Sequence, residues 1–158
     1  FLRAAIAAIE ARTGKALISR LFTMTVQEWA DPQAQALPVG PVRQIVSVTV
    51  VSRDAMETVI EPQRYWLVRD MQAPLLKPSG PMLPFIPPQG SVQVVFEAGR
   101  GESWGAVPAD LQQAVLMLAA HYYEYRHETR LGDGCMPFGV SSLIERYRPL
   151  RIGLGVRA

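Results

Sequence analysis

The sequence predicts an α+β fold, with helices at both ends of the chain and a small, mostly antiparallel β unit inserted between them. Three observations predict it. Apolar residues recur at helical spacing near the start and again after residue 108, β-branched residues alternate with polar ones in between, and Gly and Pro separate these short strands. Helices at the ends with strands between them are typical of an α+β domain.

The 158 residues have the length of one domain. We therefore expect a single domain over 1–158, in which the helices form a bundle with one long helix in the C-terminal half. The expected segments are a helix over 1–13, a β-rich insertion over about 17–98, a long helix over about 108–129, a short helix over about 140–148 and a tail over 149–158.

The first helix is predicted from "FLRAAIAAIEART", which places Leu2, Ile6 and Ile9 on one face. Gly14 follows at the place where a left-handed helix C-cap is typical. Because Phe1 already lies inside the helical pattern, we expect the natural protein to have residues ahead of it.

Four strands are predicted from "LISRLFTMTVQEW", "VRQIVSVTVV", "RYWLVRD" and "SVQVVFEAG", and the second is the clearest. Between the last two, residues 74–88 contain six prolines together with apolar residues such as Leu83 and Phe85. Proline has no amide donor and does not fit a central strand, so we expect a loop here. An apolar loop is expected to lie against its own sheet or against another subunit.

The long helix is predicted from "VPADLQQAVLMLAAHYYEYRHETR", which begins with Pro108 and Asp110, both favoured in a first turn. Leu116, Met117 and Tyr123 lie off its core-facing stripe and widen the apolar arc beyond what one core contact requires. The stripe itself is predicted to contain Leu111, Ala114, Val115, Leu118, Ala119 and Tyr122. After it, "GVSSLIERYRPL" predicts a short helix that stops at the following proline.

The composition excludes several classes of function. A net charge of +2 is too small to indicate nucleic-acid binding over the whole surface. The single cysteine, Cys135, excludes an internal disulfide and a cysteine-based metal cluster. No apolar run approaches the ~20 residues of a membrane span, so we expect no membrane partner.

Candidate catalytic and metal motifs are weak. His121 and Glu124 have a spacing that metal sites on helices use, but the two histidines, His121 and His127, do not share one line of a helix. "AGRGESWG" lacks the lysine and Ser/Thr of a phosphate-binding loop, and Cys135 has no recognisable nucleophile motif. The sequence therefore predicts no catalytic residue, no metal site and no cofactor.

An aromatic and arginine patch on the long helix carries the strongest functional signal. Tyr and Arg are the residue types enriched at the energetic centres of protein interfaces. The same mixture could stack nucleotide bases, or Tyr122 and Tyr125 could pack in the core of the monomer while Arg126 is solvated. For the whole patch we favour a contact between subunits, with the predicted interface residues Leu116, Met117, Tyr122, Tyr123 and Arg126.

The chain contains "IEARTGKALISR", "LPVGPVRQIVSVTVV", "VQVVFEAGRG", "VPADLQQAVLMLAAHYYEYR" and "LIERYRPLR" in this order. Their order and spacing, over nearly all of the 158 residues, resemble the head–tail connector (adaptor) family of tailed bacteriophages and phage-derived gene transfer agents. Two departures concern local loops: the hairpin "SRDAMET" lacks a glycine, and "AGRG" has Arg100 where an aromatic residue is common.

The resemblance implies a structural protein without catalysis. Members of the family form a ring, typically of twelve copies, beneath the portal protein, pass double-stranded DNA through the lumen without specific binding, and carry a further neck or tail protein (stopper). The implied location is the neck of a virion or phage-like particle assembled in the bacterial cytoplasm. The family's C-terminal segment reaches the portal, and its counterparts here are Arg146, Arg148, Leu150, Arg151, Ile152 and Leu154.

Two other classes of function remain as alternatives. A small nucleic-acid-binding module would need its arginines on one face and an affinity that falls steeply with salt. An enzyme would need a concave site with convergent polar groups, and the sequence nominates none.

Overall fold

The computed structural model of the chain describes residues 1–127 and 136–149. These residues form two compact units. The helical unit contains Phe1–Gly14 and the described residues from Pro108 onward, and the β unit is Lys15–Val107. Every α-helix of the described residues lies in the helical unit and every strand in the β unit, which confirms the predicted α+β class. A single domain over 1–158 remains a prediction.

The helical unit consists of α1 (Leu2–Thr13), α2 (Ala109–Glu124), α3 (Phe138–Ile144) and a short 3-10 helix (Glu145–Tyr147). α2 packs against both other helices. Gly14 ends α1 as predicted, with φ 64° and its amide donating to the Glu10 carbonyl at 2.8 Å. The buried core of this unit consists of Ala5, Ile9, Leu111, Ala114, Val115, Leu118, Val140 and Ile144.

α2 ends five residues before the predicted boundary. Tyr125 has left the helical region, and the Arg126 guanidinium donates to the Tyr123 carbonyl at 2.9 Å. This hydrogen bond satisfies a carbonyl that the end of a helix leaves without an amide partner. Aromatic residues also have a low helix propensity, so the end of α2 falls among the tyrosines. Residues 128–135 lie outside the described part of the chain.

The β unit contains seven strands, all paired antiparallel. They are β1 (Arg20–Val26), β2 (Gln35–Ala36), β3 (Val42–Val51), β4 (Glu57–Val59), β5 (Tyr65–Val68), β6 (Leu75–Pro78) and β7 (Ser91–Ala98). A four-stranded sheet has the order β1-β7-β3-β4, and a three-stranded sheet has the order β2-β6-β5. Alternate residues of β7, among them Val94 and Phe96, join Leu76 and Tyr65 from the smaller sheet in one core.

The prediction of a loop over residues 74–88 is wrong for Leu75–Pro78, because these residues form β6, the central strand of the smaller sheet. Proline is tolerated here for a geometric reason. Pro78 pairs with Tyr65 at the end of β6, whereas the β2 side of this strand pairs only at Leu75 and Leu76. The missing amide of Pro78 therefore removes no bond to β2.

The hairpin that joins β3 to β4 is formed without a glycine, and Ala55 supplies the positive φ of 62°. The Ala55 amide donates to the Ser52 carbonyl at 3.0 Å, which holds this conformation. A left-handed conformation costs an alanine about 1 kcal/mol, and glycine adopts it freely.

We expect Ala55→Gly to raise the free energy of unfolding by about 0.5–1 kcal/mol, because the relief of strain exceeds the added chain entropy of glycine. Urea denaturation of the purified protein measures this change. Ala36→Gly, at an exposed position in β2, should lower stability instead. A stability loss from Ala55→Gly would contradict the prediction.

Candidate functional site

α2 exposes an apolar strip on the side away from its core. Leu116 is 52% exposed and Tyr123, seven residues later and therefore on the same line of the helix, is 56% exposed. Ala120 lies exposed between them and has too little side chain to keep a neighbouring surface at a distance. This strip has the shape and composition of a contact surface for another protein.

Tyr123 is held between two neighbours. The Phe1 ring meets it edge-to-face with the centroids 5.8 Å apart, and the Arg126 guanidinium lies 4.4 Å from its centroid. The same guanidinium also donates to the Tyr123 carbonyl, so the contacts of Tyr123 with Phe1 and Arg126 restrict its ring. An ordered aromatic side chain loses little conformational entropy on binding.

The structure brings together some of the predicted interface residues and separates others. Tyr123 and Arg126 are both exposed and in contact, and Leu116 shares their side of α2. Met117 is 37% exposed and lies beside α3, where a Cβ on Gly139 would be 2.8 Å from its Cε. Tyr122 is half-buried, so only part of it is available to a partner.

Two exposed phenylalanines of the helical unit were not predicted as interface residues. Phe1 is 58% exposed and contacts Tyr123, and Phe138, the first residue of α3, is 89% exposed. From the sequence alone, a phenylalanine next to the start of a helix would be assigned to the hydrophobic core. Only the packing of the helices shows that both rings face outward.

A polar cluster fixes the end of α3 to the start of α2. The Tyr147 hydroxyl donates to the Asp110 carboxylate, whose two oxygens are 2.8 and 2.9 Å away. Arg146 Nη2 lies 2.5 Å from the same carboxylate and donates to the Tyr147 hydroxyl. The hydrogen bond with Tyr147 and the nearby carboxylate raise the pKa of Arg146 above its ordinary value. The predicted portal-binding residue Arg146 is therefore also a structural residue.

We expect Tyr147→Phe to lower the free energy of unfolding by about 1–2 kcal/mol, because the buried ring is kept while the hydrogen bond to a charged carboxylate is lost. Urea denaturation measures the change. Glu145→Gln removes only the exposed ion pair between Arg148 and Glu145 at 3.3 Å and should cost less than about 0.5 kcal/mol. Equal effects of the two variants would contradict the anchoring role of Tyr147.

The other predicted portal-binding residues are only partly placed. Arg148 is exposed and pairs with Glu145. Leu150, Arg151, Ile152 and Leu154 lie outside the described residues. The described chain thus ends next to the anchored Tyr147, which is where the predicted docking tail begins.

Lys15 is the buried lysine of the β unit, with 3% of its surface exposed. Burial, followed by the nearby positive charge of Arg100, lowers the pKa of Lys15 below its ordinary value, although Asp70 opposes this shift. Its Nζ donates to the Met71 carbonyl. Backbone amides of Ala73 and Gln72 donate to Asp70 and lower the pKa of its carboxyl group. These contacts hold the loop between β5 and β6, which is a structural role.

Neither a metal-binding cluster nor a membrane-spanning helix occurs in the described parts of the chain. Among residues 1–127 and 136–149, no three His, Cys, Asp or Glu side chains are arranged to hold a metal ion. Within the same ranges, none of the helices is long and apolar enough to cross a bilayer.

Solved structures contain chains similar to this one. A chain in the neck of a native gene transfer agent particle, computed with C12 symmetry, is 48% identical with a TM-score of 0.88. The match covers 99% of this chain and 84% of that chain. This chain belongs to the family of gene transfer agent neck proteins. No protein-family model matches the sequence, and no curated protein does.

Two further structures agree with this membership of the gene transfer agent neck family. A chain in the neck of an empty particle, computed with C6 symmetry, is 48% identical with a TM-score of 0.87, over 99% of this chain and 78% of that one. A chain in the virion of a native gene transfer agent is also 48% identical with a TM-score of 0.87, over 98% of this chain and 77% of that one. The similarity includes both the helical unit and the β unit.

Proposed function

We propose that the protein is a head–tail adaptor, which forms a ring under the portal of a phage-like particle and links the head to the next neck protein. One observation carries this proposal: a chain 48% identical over 99% of this one lies in a particle neck computed with C12 symmetry. The role is structural, and DNA passes through the lumen of a ring of twelve copies without specific binding. The particle neck is then its location.

The first test is the mass of the purified protein with and without its portal, by native mass spectrometry or light scattering. We expect a monomer alone and a multi-copy ring on the portal. If the protein does not bind the portal but binds DNA with an affinity that falls steeply as the salt concentration rises, it is a nucleic-acid-binding module instead. A monomer under every condition would contradict the adaptor role.

The exposed strip of α2 is proposed as one part of the contact between neighbouring subunits. Phe1 and Arg126 lie against Tyr123 of this strip, and together they combine aromatic area with a cation that can make planar contacts. Subunits in a ring meet through two different surfaces, so the strip requires a different surface on the next copy.

We expect Tyr123→Ala to weaken the association between subunits by about 30-fold, because truncating a central aromatic residue costs about 2 kcal/mol. Sedimentation of the rings that form on the portal, at falling concentrations of this protein, measures the effect. Tyr125→Ala is the matched control, because Tyr125 lies just beyond the end of α2 and its ring contacts His121, with the centroids 4.6 Å apart. The monomer should stay folded in both variants because both tyrosines are exposed, Tyr123 by 56% and Tyr125 by 42%. Equal weakening by the two variants would contradict the proposed contact.

The C-terminal tail is proposed to bind the portal through Arg146, Arg148, Leu150, Arg151, Ile152 and Leu154. The Asp110–Tyr147 hydrogen bond supports this proposal, because it gives the tail a fixed point of departure. A tail that binds a partner above the ring is positioned more accurately when the residue from which it starts is held in place.

A further inference from the structure

The four-stranded sheet of the β unit has an outer face with few charges. In one row across all four strands, Thr25 of β1 pairs with Gln93, Gln93 with Thr49, and Thr49 with Val59. Two charged residues bound this part of the sheet: Glu57 of β4, in the adjacent row with Val51, and Glu97, which Arg43 pairs at 3.2 Å. We call the following outward residues the outer face: Leu21, Thr23, Thr25, Ser47, Thr49, Val59, Gln93 and Val95.

Residues 79–90, here called the proline loop, contain no charged residue. The loop is fixed at its middle: Leu83 is buried and donates its amide to the Pro32 carbonyl at 2.7 Å, and Trp29 Nε1 donates to the Pro84 carbonyl at 2.8 Å. Phe85 next to them is 79% exposed. Because this loop is already fixed, it loses little conformational entropy when its exposed aromatic ring binds a partner.

The proline loop and the outer face lie on opposite sides of the four-stranded sheet. Leu83 belongs to the same core as Val94 and Phe96, which point inward from β7. Gln93 and Val95 alternate with them along the strand and point outward to the outer face. The β unit therefore carries one protruding and one flat uncharged surface, on opposite sides.

We infer that in the assembled ring the proline loop of one copy docks on the outer face of the next copy. This inference rests on the proposed ring, in which each subunit must offer one surface to one neighbour and a different surface to the other. The residues of the proline loop and of the outer face are uncharged, and Glu57 at the rim of the face is exposed, so their contact can form without burying an ion. Phe85 supplies the rigid aromatic anchor typical of such contacts.

The size of the outer face decides how much of the ring contact it can supply. Seven residues of β1 extend about 24 Å and four strands span about 14 Å, so the face measures roughly 340 Å². A stable interface buries about 800 Å² on each partner. The docking of the proline loop is therefore one part of the subunit contact, and the strip on α2 is a separate part.

Disulfide cross-linking in assembled particles tests the inference. In a Cys135→Ser background, Phe85→Cys is combined with one of Thr23→Cys, Thr25→Cys or Thr49→Cys, and the particles are oxidised. We expect at least one pair to give a ladder of covalent oligomers on a denaturing gel, because each copy links to the next. The control pairs Phe85→Cys with Asp54→Cys, at the exposed tip of the β3–β4 hairpin, and should give no ladder.

Each other outcome has a definite meaning. The reduced variants must first enter particles as the unmodified chain does, which shows that they fold. Absence of a ladder from all three pairs overturns the inference, and so does linkage through Phe85→Cys alone, either between two copies or to another neck protein. If the unmodified chain forms no ring at all, the proposed adaptor function fails first, and the mass measurement identifies that case.

Discussion

Removal of residues 149–158 is expected to abolish attachment to the portal while leaving the domain folded. The deletion removes Leu150, Ile152 and Leu154, and burying each of them against a partner contributes about 1.5 kcal/mol or more. A loss of about 4.5 kcal/mol weakens binding roughly a thousand-fold. The Tyr147 anchor precedes the deletion, so the free energy of unfolding should be unchanged.

The fraction of DNA-filled heads that carry a neck, counted by electron microscopy, measures attachment in particles. Removal of residues 157–158 alone is the matched control, because it keeps all six proposed portal-binding residues. If the variant that lacks residues 149–158 attaches normally, the proposal that the tail binds the portal is wrong. An unfolded deletion variant would instead show that the tail contributes to the fold.

Gly99→Ala should lower the free energy of unfolding by more than about 3 kcal/mol. Gly99 has a φ of 144°, which side chains rarely permit. A Cβ here would lie 2.3 Å from Ser19 Cα and 2.7 Å from the Ile18 carbonyl carbon. These are backbone atoms that cannot rotate away. Hydrogen bonds hold them, since the Ser19 amide donates to Gly101 at 2.8 Å and the Gly99 amide to Pro41 at 2.9 Å.

Gly80→Ala is the matched control for this substitution, because no atom lies within 4 Å of its Cβ position. It should change the free energy of unfolding by less than about 0.5 kcal/mol. Urea denaturation of both variants measures the difference. A Gly99→Ala variant as stable as the control would show that the two crossing segments can separate at no cost.

How far the sequence predicts this fold depends on the length of each element. β3 and β7 coincide with the predicted strands, because eight to ten β-forming residues give a pattern that turns do not imitate. β2 and β4 have two and three residues, too few for any alternation to show. β6 was missed because Pro78 and the prolines around it indicate a loop, and only its pairing with β2 and β5 reveals a strand.

Long-range contacts account for what the sequence could not show. Tyr147 and Asp110 are 37 residues apart, and nothing in either neighbourhood indicates that they meet. The sequence around "AGRG" does not show that Gly99 is required by the close passage of Ser19, a residue of a distant segment. The tyrosine and arginine patch could be nominated as an interface from the sequence, because these residue types are enriched at protein interfaces, and that role stays a prediction. The exposure of Phe1 and Phe138 depends on how the helices pack.

The Asp110–Tyr147–Arg146 cluster also determines how a mechanical load would travel through the helical unit. A force applied to the chain beyond Arg148 acts on Tyr147. The hydrogen bond from the Tyr147 hydroxyl to Asp110 transmits this force to the first turn of α2. α2 is the longest described helix and packs against both other helices, so the force is spread over the whole core rather than unwinding the seven-residue α3. The tail is therefore attached to the helical core as a whole and not to α3 alone.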